Sequence, residues 1–273
     1  MENIAWNGDG AAATTRHEIS SIQDLDAIVD TRDATTAAIK YTTFYLFTSN
    51  DVALLGKIPK AKAEITIGEY TAALERVPDR SIFPALTNDT VAVLTSAPEG
   101  NDNQYIKRPN MSMYELCDHD DDFLASLLLS EAATMEQIAR HPHPNIVRYH
   151  GVRARRGRIT GLVLEKYPIT LLEHVQRGMD LDEEKVMAAL ESAVEYLHSL
   201  GLAHNDIHPV NIMVSAEKMP VLIDFDSCQP FGKRLMSQGT PGWADVFDGL
   251  SGKEHDIYAL SRVREWFKEP WFD

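Results

Sequence analysis

The segment His204-Asn205-Asp206-Ile207-His208-Pro209-Val210-Asn211 constrains this chain more than any other feature, together with the apolar run Val221-Leu222-Ile223 that ends at Asp224. A short β-branched and apolar run bounded by turn residues reads as a buried strand. Upstream, residues 182–199 place Val186, Leu190, Val194 and Leu197 on one helical stripe, and Gly201 stands where a C-cap belongs. A polar loop is therefore inserted between an amphipathic helix and a strand. It carries Asp206 and, five residues later, Asn211; Asp224 follows Asn211 by thirteen residues.

Phosphoryl transfer asks for little covalent help from protein. It needs a carboxylate to orient the acceptor hydroxyl and oxygen ligands to hold Mg²⁺ on the phosphates. A loop Asp, a loop Asn and a strand-end Asp at this spacing supply those parts. The plainer alternative is a polar turn with capping Asp and Asn side chains.

The segment resembles the catalytic loop and metal-binding motif of the protein-kinase superfamily, HRD-L-K-P-x-N followed by DFG. The resemblance implies that Asp206 is the catalytic base and that Asn211 and Asp224 are Mg²⁺ ligands. Tyr105-Ile106-Lys107 resembles the strand that carries the ATP-contacting lysine. Residues 131–138 followed by His143-Pro-Asn-Ile-Val resemble the helix that supplies its ion-pair partner. Glu131 is the first choice for that partner and Glu136 the competitor. Leu164-Glu165-Lys166-Tyr167 resembles the hinge whose backbone meets adenine, so Lys107, Glu165 and Tyr167 are the cofactor-binding candidates. Gly239-Thr240-Pro241-Gly242-Trp243 resembles the end of an activation segment, and a bland turn explains it as well. Asp256 resembles the aspartate that braces the catalytic loop; the other reading is a helix N-terminal charge. The resemblance runs from residue 104 to about 267 in the family's order.

The sequence departs from the family at four places. No G-x-G-x-x-G precedes Lys107, and Gly100 is the only nearby glycine. Asn205 stands where the Arg of HRD belongs, which argues against control through a phosphorylated activation segment. His208 replaces the catalytic-loop lysine and Asp226 the Gly of DFG, a pattern similar to aminoglycoside and choline phosphotransferases. His208 can still hydrogen-bond a phosphate as a catalytic candidate. Asp226 is either a further metal-facing carboxylate or a turn residue. Finally, the sequence stops seventeen residues after Asp256, short of the helices that complete a protein-kinase lower lobe.

These features imply an α+β, two-lobed kinase-like fold. Residues 81–167 would form a β-rich N-lobe with one helix, and 168–273 a shortened, mostly helical C-lobe. Residues 1–80 are an N-terminal extension of unknown fold. Expected elements are strands at 41–48, 90–94, 104–108, 146–152 and 159–165, with Gly157 turning the last two into a hairpin. Helices are expected at 68–77, 121–140 and 255–267.

The implied activity is transfer of the γ-phosphate of Mg·ATP to a protein Ser or Thr. The rivals are a small-molecule kinase and a pseudokinase that acts as a binding module. ATP and Mg²⁺ are the implied cofactors. The partner is a protein substrate or a small hydroxylated molecule.

Over 273 residues, 44% are hydrophobic, enough for a sizeable core. The net charge of -15 argues against nucleic-acid or anionic-membrane partners. Cys117 and Cys228 are too few for a disulfide framework, and residues 1–20 carry no apolar signal segment. The expectation is a soluble intracellular protein, cytoplasmic or nuclear. The acidic run 118–122 reads as a helix N-terminus and solvated loop, His141 and His143 as part of a turn, and Arg153, Arg155, Arg156 and Arg158 as a solvated hairpin tip.

Overall fold

A computed structural model describes residues 18–33, 35–98, 102–114, 122–235, 239–244 and 249–272. Gly100, Cys117 and the acidic positions 118–121 lie outside the described residues. The chain divides into two compact units, one of residues 1–79 with 111–116, the other of 80–110 with 117–273.

The first unit is an antiparallel sheet in chain order. It comprises β1 (Ala27–Arg32), β2 (Ile39–Phe47), β3 (Ala53–Ile58), the helix α1 (Ile67–Ala73) and β4 (Glu75–Arg76). Its core gathers Ile19, Phe44, Leu46, Leu54, Ile65 and Tyr70. The Phe44 and Tyr70 rings meet edge to face at 4.6 Å. Gly56 makes room for this: a Cβ there would lie 2.4 Å from the Phe44 ring. The helix expected over 68–77 is shorter. A reciprocal Thr66–Glu69 capping box starts it, and Leu74 turns extended so that β4 can pair with β3.

The second unit begins with α2 (Asn88–Val93), where the β-branched residues predicted a strand at 90–94. Local capping overrides propensity here: Thr87 and Thr90 bond each other's backbone N–H groups. Then follow β5 (Gln104–Lys107), the helix α3 (Phe123–Ala139), β6 (Tyr149–Arg155) and β7 (Arg158–Glu165). They form an antiparallel sheet in the order β5-β7-β6, with Lys107 opposite Leu162. The strand expected from 146 starts at Tyr149, because Val147 donates its N–H to Leu222 instead. His143 sits in the turn before it, as its Nδ1 accepts the Asn145 N–H. Arg155 and Arg158 flank the hairpin turn, where the Arg158 guanidinium bonds the Phe83 carbonyl.

The remainder is mostly helical. It contains β8 (Ile169–Thr170), α4 (Leu171–Gln176), α5 (Glu183–Ser199), β9 (Leu202–Ala203), β10 (Ile212–Val214), β11 (Pro220–Leu222), β12 (Gln229–Pro230) and α6 (Lys253–Lys268). Helix α5 buries Val186, Leu190, Val194 and Leu197, and α6 packs on it with Ala259, Val263 and Trp266 buried. The β10–β11 hairpin, joined by β8, brings Asn211 and Ile223-Asp224 together at its open end, where the Ile223 N–H donates to the Asn211 carbonyl at 3.0 Å. The architecture is α+β, a strand-rich part with one long helix followed by a mostly helical part.

Candidate active site

Lys107 ends β5, and its alternation along the strand turns it toward α3. Its Nζ lies 2.5 Å from Glu131 Oε1 and 2.6 Å from Asp224 Oδ1. Glu131 is 4% exposed and lies on the apolar face of α3. The same Oε1 accepts the Phe225 N–H at 3.2 Å. Burial pushes the Glu131 carboxyl up to about 7, against the pull of the Lys107 ammonium. The ionised carboxylate is the form that satisfies both donors at that oxygen. For Lys107, burial favours the neutral amine, but Glu131, Asp224 and Asp226 outweigh it and hold the ammonium charged above lysine's ordinary value. Burial likewise opposes the charge of Asp224, and Lys107 overcomes it, so that carboxyl is held down.

Glu136, the competitor, does not meet Lys107. It bonds Thr95 and Tyr149.

Asp206 lies on the loop between β9 and β10. Its Oδ1 accepts the backbone N–H and the hydroxyl of Thr240, each at 2.8 Å. Asn211 Nδ2 donates to Asp206 Oδ2 at 3.1 Å and to the Asp206 carbonyl at 3.0 Å. His208 Nε2 stands 3.7 Å from Oδ2. Burial works against the Asp206 charge, but His208 and the Thr240 hydroxyl outweigh it and hold the carboxyl down to about 2. The Asn211 amide nitrogen is committed to Asp206, which leaves its carbonyl oxygen as the donor atom it can offer elsewhere.

The loop is braced from below. Asp256, fully buried on α6, accepts the N–H groups of His204 at 2.9 Å and Asn205 at 2.8 Å, and its Oδ2 also meets His198 Nε2 at 2.9 Å. Asn205 is left-handed at φ 67, a conformation Asn tolerates better than most residues. Its amide donates to Ala203 O, Ser227 O and Ser251 Oγ. The residue standing where an arginine was expected is thus a neutral, buried staple.

A cavity of about 330 Å³ opens beside Lys107. Lys107, Glu165, Tyr167 and Asp224 line it, with Val147, Leu164, Met213 and Ile223 as apolar walls. The Glu165 side chain is engaged by His150 at 2.9 Å, and the N–H groups of Glu165 and Lys166 go to the Arg148 and Asn103 carbonyls. Lys107, Glu131, Asp224 and the cavity form one cluster, while Asp206, Asn211 and His208 form another on the adjoining loop. Sequence reasoning missed Thr240 as the partner of Asp206, and Val147 and Met213 as cavity walls. The motif around Thr240 was visible, but nothing in its spacing tells which oxygen it would bond.

The sequence profile of the protein kinase domain matches residues 112–259, more than half of the chain. The chain belongs to the protein kinase domain family. The matched span begins after Lys107, so the place of that lysine rests on its geometry. Among curated relatives of this kinase domain, serine/threonine-protein kinase PknG of Mycolicibacterium smegmatis is 30% identical over 139 residues, 48% of this chain and 18% of that protein. The PAK mbt kinase of Drosophila melanogaster is 31% identical over 144 residues, 49% of this chain and 22% of that one. The O-antigen chain terminator bifunctional methyltransferase/kinase WbdD of Escherichia coli is 38% identical over 79 residues, 29% of this chain and 11% of its own. The aligned part of the kinase domain thus spans a small fraction of each relative's length. Among the described residues no helix is long and apolar enough to cross a membrane, and no group of three His, Cys, Asp or Glu side chains converges on one point.

Proposed function

We propose that this chain is an ATP-dependent phosphotransferase that moves the γ-phosphate to a Ser or Thr hydroxyl of a protein. The observation that carries the reading is Lys107, held charged between Glu131 and Asp224 on the wall of the 330 Å³ cavity. A buried ammonium with two carboxylate partners is fixed in place, and fixed positive charge is what phosphoryl transfer asks of protein. In this reading residues 81–167 and 168–273 are the two lobes. The apolar walls Val147, Leu164, Met213 and Ile223 take the adenine, and the backbone of Glu165–Tyr167 bonds its edge.

Asn211 and Asp224 suit Mg²⁺. A hard dication prefers carboxylate and amide oxygens, and the Asn211 amide is oriented with its nitrogen committed elsewhere. When bound, the metal neutralises phosphate charge. The protein groups do the rest. Lys107 orients the phosphates and His208 donates to a phosphate oxygen.

Asp206 accepts the hydrogen of the acceptor hydroxyl and aims its oxygen at the γ-phosphorus. That oxygen forms the new P–O bond as the bond to ADP breaks. A carboxyl held near 2 is too weak a base to deprotonate a resting alcohol. Asp206 therefore takes the proton late, as the loose transition state collapses.

The hydrogen bonds from Thr240 to Asp206 favour a protein acceptor, since they tie the segment resembling a protein-kinase activation segment to the base. A second reading is a small hydroxylated acceptor. It is favoured by His208 beside Asp206, by Asp226, and by the likeness to WbdD, whose name describes action on O-antigen chains.

Labelled Mg·ATP incubated with mixed proteins and hydroxylated metabolites, then acid-precipitated, tests the reading. Label in the protein fraction on Ser or Thr is the expected result. Label confined to the soluble fraction selects the second reading. No transfer rejects both.

A further inference from the structure

Glu136 lies five residues after Glu131 on α3. In an α-helix that places it about 7.5 Å further along the axis and on a different face. Its carboxylate collects three donors from outside the helix. Oε1 accepts the Thr95 N–H at 2.5 Å and the Tyr149 hydroxyl at 3.0 Å, and Oε2 accepts the Thr95 hydroxyl at 3.0 Å.

Thr95 is itself fixed. Its carbonyl accepts the Val152 N–H at 2.7 Å, and Ala97 donates to Val152 O at 3.0 Å, so residues 95–97 lie parallel along the free edge of β6. Gly151, at φ 125, permits the approach, because a Cβ there would stand 2.5 Å from Thr95 O and 2.7 Å from Ala97 N.

Apart from Glu136, α3 meets the sheet through the Glu131–Lys107 ion pair, and the helix buries apolar side chains, Met135 and Ile138 among them. Apolar burial is non-directional and tolerates rotation and sliding of a helix. Charge-assisted hydrogen bonds do not. The three bonds at Glu136 are therefore a second directional tether on α3, independent of the Glu131–Lys107 pair, and a rigid helix passes the rotation they favour to Glu131.

We propose that Glu136 is a positioning residue that holds α3 where Glu131 meets Lys107. The proposal rests on the reading of Lys107 and Glu131 as nucleotide-site residues. It makes the 95–97 segment part of the device, since the position of the catalytic-site helix is referred to β6 through it.

A double-mutant cycle tests this. Affinity for a fluorescent, non-hydrolysable Mg·ATP analogue, turnover and melting temperature are measured for wild type, Glu136→Ala, Glu136→Gln, Glu131→Gln and the Glu131→Gln/Glu136→Ala pair. Glu136→Ala is expected to weaken nucleotide binding about tenfold, and to add less than about twofold once Glu131 is already Gln. Glu136→Gln keeps an acceptor for Thr95 N–H and a donor for its hydroxyl, and restores most of the affinity. Losses that add independently, or a fall in melting temperature with unchanged affinity, overturn the proposal. If Glu136→Ala does not fold, Thr95→Val and Tyr149→Phe run the same cycle. A wild type that binds the analogue without turnover defeats the transferase reading while the cycle in affinity still decides this one.

Discussion

Thr240 gives both its backbone N–H and its hydroxyl to one oxygen of Asp206, each at 2.8 Å. The other oxygen is left to Asn211 and His208. The carboxylate is thus held in one rotation; in the proposed function, that rotation is what presents Asp206 to the acceptor hydroxyl. Thr240→Val keeps the N–H and loses the hydroxyl. It should lower kcat about tenfold with little change in KM for ATP, since one charge-assisted hydrogen bond is worth roughly 1.5–3 kcal/mol. Thr240→Ser should retain most of the rate. Steady-state kinetics of the two variants checks this, and equal losses in both would count against the assignment.

Asp256 should matter for stability. It satisfies two buried backbone N–H groups of the loop and has no exposed surface. Asp256→Ala strands both donors at a cost of about 2–4 kcal/mol. Asp256→Asn retains one acceptor and should lose about half as much. Urea midpoints with an unchanged slope report it directly. A neutral Ala variant would mean the loop finds other partners.

The turn at His143 makes stability pH-dependent in a defined direction. Burial lowers the His143 pKa, and its Nδ1 must stay unprotonated to accept the Asn145 N–H. The folded protein therefore takes up this proton less readily than the unfolded chain. Its contribution is intact above the unfolded value of about 6.5 and is lost as pH falls through the lower folded value. Between pH 7.5 and 5, wild type should lose stability relative to His143→Gln. Parallel urea midpoints across that range would refute the linkage.

Much of the second unit was legible in the sequence because its signals are local. The stripe Val186-Leu190-Val194-Leu197 fixes α5, and the apolar run before Asp224 fixes β11. The resemblance already pointed to Lys107 and to Glu131 ahead of Glu136, and the structure pairs Lys107 with Glu131; what separates the two glutamates physically is rotation about the α3 axis. The expected strands at 90–94 and 146–148 gave way to two different competitors, one local and one distant. Thr87 and Thr90 cap each other and turn a β-branched stretch into α2. Ile146 and Val147 pair with the far strand β11 rather than extending β6, a contact separated by some seventy-five residues that no local pattern reveals. The first unit offered no motif. Its sheet depends on a particular fit, Gly56 beneath the Phe44 ring that meets Tyr70 edge to face, which periodicity does not encode.

Single-turnover transfer from Mg·ATP, with nucleotide affinity measured alongside, for wild type, Asp206→Asn and Asp224→Asn tests the proposed roles of these two carboxylates most directly. Asp206→Asn is expected to slow transfer about a hundredfold or more while binding Mg·ATP as wild type does. Asp224→Asn should abolish the dependence of nucleotide affinity on Mg²⁺. Transfer by Asp206→Asn at the wild-type rate, or Mg²⁺-dependent binding that survives in Asp224→Asn, would contradict the roles given to these two carboxylates.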